Sequence, residues 1–157
     1  MSFADYGFAI WETFYVTVLS TAFSLVLGLP LGVLLVAGDE GHILHIPKGV
    51  LHVLNVIINL LRSVPFLILA VMITPITRAI VGKAIGTTAM IVPLTFAAAP
   101  YVARMVESSI KEVDKGVIEA AEAMGTPPFQ IITKVLVPEA KPSLITGAVI
   151  SMVTVLG

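Results

Sequence analysis

FYVTVLSTAFSLVLGLPLGVLLVA, residues 14–37, runs for 24 residues without a charge. A bilayer core of about 30 Å needs about 20 apolar residues in helical form, so this stretch is long enough to cross one. Only helices and closed barrels satisfy every backbone group inside lipid, and a continuous apolar run is the helical solution. Three further runs follow: residues 50–73, interrupted by Arg62 and a few amides, residues 84–106 with Arg104 near the end, and residues 143–157. The fold class expected is therefore all-α, a polytopic membrane helical bundle with about four spans. The fourth run is short and stays apolar to its last position, with no cap or charge to close it. The expectation is a domain incomplete at its C-terminus, cut inside the fourth span.

Composition points the same way. Charged residues make up 12% of the chain and mean hydropathy is +1.03. Ordinary soluble domains carry about 25% charged residues. A net charge of -1 gives no electrostatic reason to expect nucleic acid as a partner. The absence of cysteine excludes disulfides, thiolate metal sites and a cysteine nucleophile. No basic segment precedes the first apolar run, and the first basic residue is Lys48, so no cleavable signal pattern is present.

The connections are residues 38–49, 74–83 and 107–142. Lys48, Arg104, Lys111, Lys115, Lys134 and Lys141 fall on one side, against Arg78 and Lys83 on the other. The excess of basic residues on cytoplasmic loops places the 107–142 excursion in the cytoplasm and the N-terminus outside. The three histidines, all between residues 42 and 52, lack metal-ligand spacing on a shared face, and no metal site is expected. No phosphate-binding glycine loop and no catalytic constellation occurs, so neither ATP binding nor an enzyme activity is expected of this chain.

Prolines inside the runs each remove a backbone donor. Pro30 within Gly28-Leu29-Pro30-Leu31-Gly32, then Pro65, Pro93 and Pro100, are expected to bend or loosen their spans. They serve either close helix packing or hinges for a protein that alternates between conformations. Asn55, Asn59 and Arg62 recur at helical spacing and share a face, which His52 extends. An arginine in lipid costs about 3 kcal/mol or more, so that face must look into the bundle or a water-filled cavity. Arg62 either fixes packing by pairing with helix ends or a carboxylate, with Glu107 the nearest candidate, or forms part of a translocation path or gate. Pro65 and Pro100 belong to the same candidate path.

The excursion has its own pattern. Glu107 to Met124 is expected to continue the third span as a helix, with an apolar face of Ile110, Val113, Val117, Ala120, Ala121 and Met124. Gly125 is placed to close it in the left-handed conformation. Thr126 is expected to cap a second helix beginning at Pro127, with Phe129, Ile132, Val135 and Leu136 as its stripe and Pro138 as its stop. Helix, glycine and helix also describe a DNA-binding helix-turn-helix, but the second helix carries a single basic residue, Lys134, and sits between two spans. A hairpin packed only on its own protein is one alternative. A short amphipathic elbow suits docking into another subunit's groove.

Glu119-Ala120-Ala121, three residues, Gly125, nine residues, then Val135-Leu136-Val137-Pro138 resembles the EAA signature of ABC-importer permeases, in which both valines are ordinarily isoleucine and leucine. Leu61-Arg62-Ser63-Val64-Pro65-Phe66, Ile91-Val92-Pro93-Leu94 and residues 99–107 are together similar to methionine-importer permeases, and the likeness covers nearly the whole chain. The resemblance implies a type I ABC importer fold of about five spans, with the end of the fourth and all of the fifth not included. It implies a homodimer of permeases on a cytoplasmic ABC ATPase dimer, fed by an extracytoplasmic substrate-binding lipoprotein in the bacterial inner membrane. No cofactor is expected on this chain; ATP and Mg would be held by the ATPase. Glu119, Ala120, Ala121, Gly125 and Pro138 would form the ATPase-coupling elbow. A permease for another small nutrient, a stand-alone channel or scaffold, and a membrane-tethered regulator are the alternatives.

Overall fold

A computed structural model describes residues 3–39 and 43–157. Glu40 and His42 of the first connection lie outside the described residues. The elements in order are α1 (Phe3–Asp39), α2 (Lys48–Ser63), α3 (Phe66–Met72), α4 (Thr74–Val81), α5 (Thr87–Lys111), α6 (Lys115–Ala123), α7 (Pro128–Gln130), a π-helical turn (Ile131–Leu136) and α8 (Val137–Leu156). Among the described residues, three helical stretches are long and apolar enough to cross a membrane: Phe3–Asp39, Thr87–Lys111 and Pro128–Leu156. The bent pair α2 and α3 makes a fourth if counted as one span.

α1 and α5 form the centre of the bundle. The face that α1 buries is built from small residues: Ser20, Thr21, Ser24, Gly28 and Gly32. Small side chains let two backbones approach closely, which is how helices associate where lipid is as apolar as leucine. A Cβ on Gly28 would sit 2.5 Å from Cγ1 of Val102 and 2.9 Å from the Ala99 carbonyl oxygen, so a methyl group already exceeds the space. The Ser24 hydroxyl, bonded to Ser20 O at 2.6 Å, also reaches the Thr95 carbonyl oxygen of α5 at 3.2 Å. At one end of this pair, the Thr87 hydroxyl donates to the Glu12 carboxylate at 2.7 Å.

The prolines do not behave alike. α1 continues through Pro30, and α5 through Pro93 and Pro100, without a break. Both α5 prolines are buried in the bundle, where neighbouring helices can satisfy the freed carbonyls, whereas Pro30 is exposed on α1. Pro65 alone interrupts its run. It caps α3, and α2 and α3 meet at 114°. The span expected over residues 50–73, with Pro65 bending or loosening it, is therefore a broken one. α2 has 16 residues, about 24 Å at 1.5 Å per residue, shorter than a hydrocarbon core.

The excursion also differs from its expectation. α5 runs to Lys111 and stops; it does not continue to Met124. Asp114 begins a separate helix, its Oδ1 accepting from the Gly116 N–H at 2.7 Å. α6 closes at Gly125, which takes φ 73°. The Gly125 N–H reaches Glu122 O at 2.8 Å and the Thr126 N–H reaches Ala121 O at 3.1 Å, the paired bonds that satisfy a helix's last carbonyls. Pro127, not Thr126, occupies the cap of the next helix, and no side-chain cap bond is made there. That helix does not stop at Pro138. It passes through the π-helical turn into α8, so Pro138 lies inside a continuous helix, directly after the turn whose wider register interrupts the regular bonding.

Candidate functional site: an anchored elbow and a polar groove

The elbow between α5 and α8 has two unlike faces. Ala121, Ile131, Ile132 and Leu136 are buried and pack with Val36 and Ala37 of α1 and with Val102, Val106 and Ile110 of α5. Ile118 and Val113 lie against the same cluster. The wider π register brings both Ile131 and Ile132 onto this side, with Leu136 one turn on. The opposite face projects Val117, Met124 and Phe129, the last two 79% and 73% exposed, beside the exposed Glu119, Ala120 and Glu122. Of the five residues expected at a docking surface, Glu119, Ala120 and Gly125 lie on this open side. Ala121 does not: it is 3% exposed and anchors the elbow to its own bundle. Pro138 is exposed but belongs to the first turn of α8. Alanine fits at 121 because the elbow comes close to the bundle there.

The polar stripe on α2 divides among three places. Asn55 donates to Leu51 O in its own helix at 2.9 Å and lines a cleft of about 730 Å³ with His45, Lys48 and His52. Asn59 accepts from Arg104 Nη2 at 3.0 Å, tying α2 to α5. Arg104 also bonds Glu107 at 2.7 Å, Glu107 bonds Lys111 at 2.8 Å, and Lys111 reaches Asp39 of α1 at 3.4 Å. This chain of charges crosses from α2 through α5 to α1 close to the elbow. Glu107, the carboxylate expected to serve Arg62, is thus taken by Arg104 and Lys111.

Arg62 makes no ion pair among the described residues. It lines a groove of about 360 Å³ between α2, α5 and α8, with Tyr101, Arg104, Met105, Ser108, Ser109 and Glu112 on α5 and Ser143, Thr146, Gly147 and Ile150 on α8. The Ser143 hydroxyl bonds Ser109 Oγ at 3.0 Å and closes one wall. Neither proline lines the groove: Pro65 sits at the bend just beyond Arg62, and Pro100, next to Tyr101, is buried within the bundle. Sequence spacing missed the α5 and α8 hydroxyls. Isolated serines and threonines in apolar helices are common, and only the packing shows which of them converge.

A bundle with a broken span, a charge-tied core and an anchored external elbow is the architecture of a membrane permease. The description binding-protein-dependent transport system inner membrane component fits residues 28–157, and the chain belongs to that family. It is similar to the D-methionine transport system permease protein MetI of Yersinia pestis, 49% identical over 148 residues, covering 94% of this chain and 68% of the relative. The protein of the same name from Escherichia coli K12 is 48% identical with the same coverage. Among solved structures, the inward-facing MetNI methionine ABC transporter in its CY5 native crystal form matches with a TM-score of 0.93 and 45% identity, over 100% of this chain and 74% of that one. A crystal structure of an amino acid ABC transporter with histidines shares the fold, with a TM-score of 0.64 at 20% identity.

Proposed function

We propose that this chain is the permease subunit of an ATP-driven methionine importer. The observation that carries the reading is the 49% identity to a D-methionine permease across nearly all of the chain, together with the same fold. In this reading two copies form the path, each docking one copy of a separate ATPase that holds ATP and Mg. A substrate-binding lipoprotein delivers methionine from outside, and the elbow faces the cytoplasm.

The exposed Met124 and Phe129, flanked by Glu119 and Glu122, supply what helix-in-groove recognition requires: apolar anchors with charge at the rim. Ala121 and the isoleucines behind them carry a push on the elbow into the ends of α1 and α5. The test is uptake of labelled amino acids by the full-length permease reconstituted with its ATPase and binding protein. Uptake led by methionine supports the reading. Uptake led by a different amino acid overturns the substrate, and uptake independent of ATP overturns the class.

A further inference from the structure

We propose that Arg62 is the group of the translocation path that receives the α-carboxylate of the transported amino acid. The inference rests on the importer reading above and adds to it a selective site within the permease itself.

A guanidinium cannot be deprotonated and is expensive to hold at membrane depth without an anion or water. Two cations line this groove, and they differ in what they bind. Arg104 is engaged on both sides, by Asn59 and by Glu107. Arg62 is free among the described residues and opens onto the same groove. The other carboxylate there, Glu112, lies beyond the end of α5, eleven residues past Tyr101, and forms no ion pair with Arg62. Among the described residues Arg62 is therefore left for an anionic group that enters and leaves.

The surroundings of Arg62 fit one ligand chemistry. Tyr101 lines the groove beside Arg62, and a carboxylate accepts hydrogen bonds from a phenol hydroxyl and from the guanidinium fork together; the Thr146 hydroxyl is already given to Pro142 O at 3.1 Å. Met105 and Ile150 supply an apolar, deformable wall suited to a thioether or aliphatic side chain. A volume of about 360 Å³ is small, at the lower end of ligand pockets, which suits a single amino acid rather than a peptide.

The experiment uses the full-length permease–ATPase complex in nanodiscs, without binding protein, and a photoreactive diazirine analogue of methionine as probe. Labelling is read on the peptides carrying Tyr101 to Ser109 and Ser143 to Ile150. On the wild-type complex, methionine and N-acetylmethionine are expected to compete, and methioninamide, which lacks the carboxylate, is expected to compete about tenfold less well. Arg62→Gln is expected to lower labelling about tenfold, and Arg62→Lys to restore part of it. Equal competition by methioninamide, labelling unchanged in Arg62→Gln, or no labelling of these peptides overturns the site. Methionine uptake by the same wild-type complex with its binding protein is measured in parallel. Failure there overturns the importer reading, while uptake with carboxylate-independent labelling overturns Arg62 alone.

Discussion

α5 and α2 are both apolar helices of one small bundle, yet they are held in opposite ways. α5 buries twelve of its 25 residues, against α1, α8 and the elbow, with small side chains and glycines at the closest approaches. α2 buries only Leu51 and Ile58 of its sixteen, and one hydrogen bond, from Arg104 to Asn59, joins it to α5 by polar atoms. The difference separates a scaffold from a limb. Close packing along α1 and α5 leaves little room for sliding, so that pair is built to move as a body. α2, loosely held and followed by a 114° bend at Pro65, is the element that can change its angle. Arg62, one of the groove's two cations, stands on the limb, while most of the facing hydroxyls stand on the scaffold.

The sharpest way to break this contrast is to wedge the scaffold apart. Gly32→Val sets a branched side chain against Val106 and the Ala103 backbone, and a backbone atom cannot move aside cheaply. The expected cost is about 3 kcal/mol or more, seen as a large fall in Tm and in solubilised yield. Next in size are Glu119→Lys and Gly125→Asp on the elbow. The first reverses a rim charge; the second forces a side chain to φ 73°, at about 1–2 kcal/mol. Both are expected to leave the protein in the membrane and to abolish ATP-driven uptake; normal uptake in both would remove the elbow from the coupling route.

Asn59→Ala sharpens the comparison from the other side. It releases the Arg104 bond, worth about 1 kcal/mol, and hydrogen exchange is expected to rise in α2 while α5 stays protected. An equal rise in both helices would mean that limb and scaffold are one unit. The smallest effect is expected from Asp39→Asn. Its 3.4 Å pair with Lys111 is solvent-exposed, so the change in stability should stay below about 0.5 kcal/mol in thermal unfolding.

Much of this was legible in the residues. The apolar runs place α1, α5 and α8, and Gly125 announces the helix end at which it is found. What the pattern could not supply is which exception matters. Four prolines sit in apolar runs, and only Pro65 breaks one: Pro93 and Pro100 are buried among neighbours, while Pro30 is exposed and α1 still runs through it. The helical period carries smoothly from Ile110 to Met124, and it hides the break that Asp114 makes by capping α6. The π-helical turn rotates Ile131 onto the buried side and Phe129 away from it, a phase that no 3.6-residue template contains. Ala121 shows the same limit: small residues mark close approach, but not which partner approaches. The groove was half legible. Arg62 is conspicuous in an apolar run, whereas Tyr101, Ser143 and Thr146 join it only through the packing of α5 against α8.

The central claim is that the elbow turns one face to its own bundle and the other to a separate ATPase. These 157 residues contain no cysteine, so a single introduced thiol is unique among them. The direct measurement is maleimide labelling of Met124→Cys, Phe129→Cys and Ala121→Cys in inverted membrane vesicles, with and without the ATPase. The account predicts rapid labelling at positions 124 and 129 that the ATPase suppresses, and no labelling at 121 in either case. Labelling at 121 that the ATPase blocks, or labelling at 124 and 129 that it leaves untouched, would contradict it.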